Sequence, residues 1–414
     1  MHIIYLHQYF ATPESATGTR SYEFAKRWVA KGHHVTMVTS TTNISENIKD
    51  NNIKRNGRIE FDCDGISVIA LDIRYDNKMG KLQRLLSFVT FCLKSSFVAS
   101  RLRNADVVFA TSTPLTIAIP ALWVKFRRRI PYVFEVRDLW PYNLICNGII
   151  KNPLLVKLSL WFEKYVYKRA GYIVGLSPSM KDYIDNVTSE PDKTISAPNC
   201  ADIDYFKPVA EEKKNQIKAE MGWQNKFLIA HIGAIGRVNA LDRFLIYAQR
   251  LKEYDDIRFV IIGIGSEKQK IRKLIKQYYL KNVEMLDSLP KKSLARIMPA
   301  IDIGFSSVHR KKHAEANSAN KFFDYLASGI PVIVNYGGWQ EEALRKANAG
   351  FGAPDFNDDL VIESILKLYN NSQLRLELGR NARQLAERQF SRDLLSDRVL
   401  QQIQKCYDDH YGKK

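Results

Sequence analysis

The residues best placed to do chemistry lie between Glu315 and Gly338, in the run E-A-N-S-A-N-K-F-F-D-Y-L-A-S-G-I-P-V-I-V-N-Y-G-G. The spacing of Phe322, Phe323 and Leu326 predicts a short helix that buries one face. It opens on the small polar residues before Lys321 and stops at Ala327-Ser328-Gly329, after which Pro331 leads into the buried strand Val332-Ile333-Val334. Backbone N–H groups near Ala319 and Asn320 have no intrahelical acceptor at such a start. Together with the helix dipole and Lys321 they favour an anion. Asp324, one turn further in, cannot serve that anion, and a carboxylate there suits a pair of hydroxyls such as a ribose diol. A phosphate at the helix mouth beside a diol-binding acid describes a nucleotide. The competing reading of this stretch, taken alone, is an ordinary αβ unit with a basic first turn.

Gly233-Ala234-Ile235-Gly236-Arg237 follows a predicted strand, where small residues let backbone approach a phosphate and an arginine can bind it bidentately. Gly236 and Arg237 with Lys321 bring two cations from two loops, which is what a diphosphate requires. Earlier in the chain Gly18 and Arg20 sit at a helix mouth, where they would meet a phosphate or form a plain connecting loop. Arg137 and Asp138 directly follow the apolar strand Tyr132 to Val136. Ligands gather at the carboxyl ends of parallel strands, so this pair is the leading candidate of the first half, a structural salt bridge being the alternative.

The elements that must position these groups alternate strand and helix throughout. His2 to Tyr9, a helix from Ser21 to Gly32 and Val35 to Ser40 make a βαβ opening, and Phe227 to Ile232 restarts the pattern. The turn-rich segment from Ile195 to Pro208 is the best boundary, giving domains over 1–195 and 196–390 and a terminal helix over 391–414 that crosses back to the first domain. Residues 41 to 60, polar and Asn-rich, read as a long mobile loop. The chain has 414 residues, a length that fits two or three domains. Five scattered cysteines without C-x-x-C spacing argue against a zinc site or disulfide framework, and for a reducing, cytoplasmic setting.

The net charge of +18 calls for a polyanionic partner or surface. From Lys78 to Arg129 ten Lys and Arg residues face one acid, Asp106. The predicted helix from Lys78 to Arg103 mixes leucines and phenylalanines with Lys81 and Arg84. With Phe126, Arg127, Arg128 and Arg129 it suits a membrane interface; a domain helix with basic flanks is the alternative. The first residues do not read as a signal peptide, and no apolar run approaches the ~20 residues needed to span a bilayer.

Taken together, R-D-L-W-P, S-P-S-M, A-P-N-C-A-D-I-D-Y-F-K-P, G-A-I-G-R, I-I-G-I-G-S-E and F-D-Y-L-A-S-G-I-P-V-I-V resemble the family-4 retaining glycosyltransferases over nearly the whole chain. The forms R-D-L-W-P and N-K-F-F-D-Y-L-A-S-G-I-P are most similar to bacterial transferases that add N-acetylated deoxyhexoses, such as N-acetyl-L-fucosamine, in O-antigen or capsule assembly. The resemblance implies an α/β protein of the GT-B fold, two Rossmann-like doubly wound domains facing a central cleft. It implies transfer from a UDP-sugar to a polyprenyl-diphosphate-linked saccharide with retention, without a metal or other cofactor. Arg137, Asp138, Arg237 and Lys321 would then be catalytic. Gly18, Gly236, Arg237, Leu286, Ala319, Asn320, Lys321 and Asp324 would contact the donor, the backbone from Leu286 bordering the base. Where the family carries its first acid this chain has Ala316, so Glu315 or Asn317 would reach the sugar. The lysine usual after the G-R turn is also missing, and Lys321 would replace it. Arg20, Lys81, Arg84, Arg127 and Arg128 would serve acceptor and membrane. The protein would be peripheral on the inner face of the bacterial cytoplasmic membrane. Three other readings compete: a sugar-nucleotide epimerase on the same scaffold, a nucleic-acid binder, and a catalytically dead scaffold. The nucleic-acid reading leaves Gly236, Arg237 and Asp324 unexplained.

Overall fold

The computed structural model describes residues 1–12, 18–76 and 79–412. The chain divides into two compact units, Met1–Pro198 with Asp393–Lys414, and Asn199–Arg392.

The first unit is built on eight strands: β1 His2–Leu6, β2 His34–Ser40, β3 Arg58–Cys63, β4 Ile66–Leu71, β5 Val107–Thr111, β6 Tyr132–Val136, β7 Tyr172–Gly175 and β8 Thr194–Ser196. Their order is β3-β4-β2-β1-β5-β6-β7-β8. Every neighbouring pair is parallel except β3 with β4. The central strands are buried on both faces, which is why β5 and β6 read as continuous apolar runs. Part of the stretch expected to be a mobile loop is ordered. Glu46–Asn51 is a helix, and β3 pairs Ile59 with Ala70 and Phe61 with Val68 at the sheet edge. Edge strands expose one side, so the polar composition that hid β3 is what an edge position allows.

The helix Arg20–Ala30 joins β1 to β2. The helices Lys81–Ala99, Ala118–Arg128 and Pro153–Arg169 lie in the successive connections from β4 to β5, β5 to β6 and β6 to β7. These three connections advance across the sheet in the direction opposite to the first, and right-handed crossovers therefore put them on the other face. The terminal helix Arg392–Tyr411 belongs largely to this unit. It packs on the Arg20–Ala30 helix, with Trp28 Nε1 donating to the Ser396 carbonyl at 3.2 Å and Lys31 pairing with Asp397.

The second unit holds β9 Phe227–Ile232, β10 Ile257–Ile262, β11 Val283–Leu286, β12 Ile303–Ser306, β13 Val332–Val334 and β14 Gly350–Gly352. They form one parallel sheet in the order β11-β10-β9-β12-β13-β14. Chain order reverses direction on either side of β9, which opens a crevice at the carboxyl ends of β9 and β12. The Asn320–Ala327 helix crosses from β12 to β13 and drives Phe322, Phe323 and Leu326 into the core. Both units are thus Rossmann-like.

Candidate active site

Three glycines draw the loops of the second unit together. A Cβ on Gly263, after β10, would stand 1.8 Å from the Gly233 carbonyl oxygen, and one on Gly265 would stand 2.2 Å from that of Ile235. Gly233 itself has φ +134° and lies against the Lys321 side chain, whose Cε would be 3.3 Å from an added Cβ. The β9 loop is therefore clamped between the β10 loop and the Asn320–Ala327 helix. Gly236 differs: its φ is −122° and an added Cβ would meet nothing within 4 Å. The backbone does not demand glycine there, and the space beside it is open.

Lys321 is buried, and its Nζ donates to Asn239 Oδ1 at 3.0 Å. Asn239 Nδ2 donates in turn to the Ala234 carbonyl at 2.9 Å, so the amide is oriented with its oxygen toward the lysine. Among the described residues no carboxylate pairs with Lys321, and burial pulls its pKa down to about 8. Next to it on β9, His231 is fully buried with neither ring nitrogen hydrogen-bonded. Burial and the Lys321 charge hold it well below the usual imidazole range. At the start of the Asn320–Ala327 helix, Asn317 Oδ1 accepts from Ala319 N at 3.2 Å. The N–H groups of Asn320 and Lys321 find no acceptor among the described residues. A buried ammonium and two free amides thus converge beside the β9 loop.

Asp324 is partly buried, and its carboxylate accepts no hydrogen bond among the described residues. Burial raises its pKa to about 7, against the pull of Lys291 and Arg392. Those two cations are held nearby on Asp202, Arg392 at 2.8 Å. An acid without a donor, kept close to neutral pH by its surroundings, is ready for neutral donors such as hydroxyls.

The two candidates for the missing acid part company. Asn317 is spent locally, its Nδ2 donating to the Ala314 carbonyl at 2.9 Å and its Oδ1 serving Ala319. Glu315 is buried with Oε2 on Lys312 at 2.9 Å, and its Oε1 has no partner. Gly337 and Gly338 leave room around it, since a Cβ on Gly338 would come within 3.3 Å of Oε2. Arg237 is 90 % exposed and only loosely paired with Glu267, at 3.6 Å, so it is free to swing over the loop. The Leu286 carbonyl already accepts from Gly263 N at 3.3 Å, which leaves Asp287 to Leu289 the more open backbone.

In the first unit Arg137 and Asp138 follow β6. Arg137 Nη1 donates to His7 Nε2 at 3.3 Å, and His7 Nδ1 meets Ser21 Oγ at 2.8 Å, which fixes a neutral imidazole with its proton on Nδ1. Thr113 Oγ1 donates to the exposed Asp138 at 3.0 Å. The pair is not a mutual salt bridge, and sequence reading missed His7, although a histidine at the end of the first strand was a usable signal.

Two basic residues require correction. Arg20 is no surface cation. It is buried on Glu135 at 3.0 Å, donates to the carbonyls of Ala197 and Pro198, and stacks on Phe24. Its hydrogen-bonding partners lie more than 100 residues away, beyond the reach of local pattern. Arg128 is tied to the Leu102 carbonyl, whereas Arg127 is exposed and lies over Trp123. Arg84 is half-buried, and the side chain of Lys81 lies outside the described residues. Gly18 is exposed; residues 13–17 of its loop lie outside the described residues. Among the described residues no group of three His, Cys, Asp or Glu could hold a metal ion, and no helix is long and apolar enough to cross a membrane.

Two Rossmann-like units, the second with a clamped glycine loop beside a basic helix start, define a protein of the GT-B type. Structures with this fold include a sucrose-phosphate synthase from Thermosynechococcus elongatus, at TM-score 0.76, 13 % identity and 99 % of each chain. HepE of Anabaena, solved with UDP-glucose, matches at TM-score 0.72 and 13 % identity over 98 % of this chain and 100 % of its own. Residues 15–200 match the glycosyl transferase 4-like domain and residues 213–385 the glycosyl transferases group 1 domain, which between them take in most of the chain. The chain belongs to the glycosyltransferases built from these two modules. A probable glycosyltransferase of Pseudomonas aeruginosa, WbjE, is 19 % identical over 65 % of this chain and 67 % of its own. The chain spans 59 to 67 % of the length of the curated relatives it matches.

Proposed function

We propose that the protein transfers a sugar from a UDP-linked donor to a saccharide acceptor carried on a polyprenyl diphosphate, with retention at the anomeric carbon. The observation that carries the reading is the Lys321 ammonium, buried without a counter-anion beside free amides and three residues before an unpartnered Asp324. Lys321, the Asn320 and Lys321 amides and a swung Arg237 would take the diphosphate, and Asp324 the ribose. Glu315 Oε1 is the group left to meet the sugar. The neighbour solved with UDP-glucose supports a uridine nucleotide.

Departure of the diphosphate breaks the bond from C1 to phosphate oxygen while the acceptor oxygen bonds to C1 on the same face. The acceptor proton passes to the leaving phosphate oxygen. The Lys321 ammonium and the helix-start amides would stabilise the charge that develops on that oxygen, and being held in place before the donor arrives they require no rearrangement as the bond breaks. Asp138 would orient the acceptor or stabilise the cationic sugar, with Arg137 held in place by His7. An N-acetylated deoxyhexose is the proposed sugar. Arg127 and Arg84 stand on helices of the first unit that would face the cytoplasmic leaflet, where a lipid-linked acceptor resides.

Calorimetric titration with UDP, with GDP as control, tests the donor assignment. Micromolar UDP binding weakened by both Lys321→Met and Asp324→Ala is expected. Binding indifferent to both substitutions removes the assignment.

A further inference from the structure

Three helices of the first unit are apolar on the side that faces solvent as well as on the side that faces the sheet. On Lys81–Ala99 the exposed stripe includes Leu82, Leu86, Val89 and Leu93, with Leu82 69 % exposed. Ala118–Arg128 continues it with Ile119, Trp123 and Phe126, the last 78 % exposed. Pro153–Arg169 adds Leu154, Leu158, Trp161 and Tyr165, with Leu154 at 73 % and Trp161 at 60 %. Each set follows i, i+4, i+7 spacing and so forms a line along one helix face. The middle helix packs against both others, and all three sit on the same side of the sheet, so the lines adjoin. Apolar patches of this extent on a folded surface mark a contact with something.

The charge on the same helices says what that contact is. Pro153–Arg169 carries a second exposed line, Lys157, Lys164 and Lys168, beside its apolar one. Across the three helices ten Lys and Arg residues stand against one acid, Glu163, and that acid is buried on Tyr183. A second copy of the chain would set this positive charge against itself. A nucleic acid would match the charge but leave the leucines in water. An anionic bilayer satisfies both, with lysines reaching headgroups and the two tryptophans at the interface. We propose that this three-helix face, with the Pro153–Arg169 helix as its principal anchor, seats the protein on an anionic membrane by apolar insertion. The inference extends the lipid-borne acceptor proposed above but needs neither its saccharide nor the donor.

The test is flotation of the full chain with vesicles of phosphatidylcholine alone or with phosphatidylglycerol, at 0.1 and 0.5 M salt. Partition onto the anionic vesicles should exceed that onto the neutral ones at least tenfold and persist in part at high salt. Phe126→Ser/Leu158→Ser/Trp161→Ser should lose at least tenfold at both salt concentrations with an unchanged melting curve, since all three side chains are exposed. Brominated lipid should quench wild-type fluorescence and quench Trp161→Phe less. The proposal fails if the triple variant floats like wild type, or if neither vesicle is bound. It also fails if ultracentrifugation shows a dimer that the triple variant dissolves, which would make a second copy the occupant. UDP titration of the same samples keeps the readings apart: vesicle binding without UDP binding sinks the donor site alone, and the reverse sinks the docking face alone.

Discussion

Replacing Lys321 with Met should make the protein more stable and less able to bind UDP. Burial lowers the lysine from 10.5 to about 8, with no neighbouring carboxylate to offset it. A depressed lysine binds fewer protons folded than unfolded, so its contribution is least favourable below pH 8. That contribution improves as the pH climbs from 8 toward 10.5. A shift of that size corresponds to about 3 kcal/mol at pH 7. Methionine fills similar volume without the charge and should recover much of it, less the hydrogen bond to Asn239, which contributes about 1 kcal/mol. Loss of a charge-assisted bond to phosphate should weaken UDP by about 1.5–3 kcal/mol, roughly 10- to 150-fold. Urea unfolding at pH 7 and pH 10, following the transition that UDP shifts, reads the first effect, and calorimetry reads the second. The gain should shrink markedly at pH 10. A variant that is less stable at pH 7 while UDP affinity stays unchanged would refute the reasoning, because Lys321 would then be an ordinary structural lysine.

UDP affinity should be greatest between the two pKa values, falling above pH 8 as Lys321 loses its proton and below pH 7 as Asp324 gains one. Titrations from pH 5.5 to 9.5 would show both limbs, and Asp324→Asn should abolish the acid limb while lowering affinity at pH 7.5 by about 1–2 kcal/mol. Gly236→Ala should fold with equal or slightly greater stability, by about 0.5 kcal/mol, because its φ of −122° is open to alanine. Its UDP affinity should nevertheless drop, as the methyl enters the open space; unchanged affinity would mean no phosphate comes near. Arg20→Ala leaves Glu135 buried and unpaired, a change expected to destabilise by roughly 3–5 kcal/mol in chemical denaturation. A loss under about 1 kcal/mol would show that Arg20 does not hold the first unit together.

How far the sequence carried depended on whether the deciding contact was local. The central parallel strands of both sheets were legible, since buried strands such as Val107–Thr111 and Ile257–Ile262 announce themselves as apolar runs ending in turn residues. The edge strands β3, β8 and β14 are too short or too polar to do so. The Asn320–Ala327 helix and the placement of Lys321 and Asp324 upon it followed from spacing alone. Arg20 was misread because a basic residue at a helix start looks the same whether it meets solvent or a buried glutamate brought in from a distant strand. Asn239 was passed over for the same reason: its importance lies in Lys321, 82 residues away. The choice between Glu315 and Asn317 turned on hydrogen bonds within one turn of chain, which composition does not encode.

The relation between Lys321 and Asp324 argues most directly for a ligand. Opposite charges three residues apart on a helix face one another, and a purely structural pair would join. These two do not: the lysine turns to Asn239 under the β9 loop, and the acid has no donor among the described residues. Each is held off its ordinary pKa by burial, in opposite directions. A fold selected for stability alone would pair them or replace both with apolar residues. Keeping both desolvated and apart holds a cation and a hydroxyl acceptor at fixed separation, beside the second unit's glycine loops, which are already clamped in place. On the proposed reading, a molecule that carries a diphosphate and a ribose together would relieve both strains at once, so its binding energy would arise where the empty fold is least comfortable.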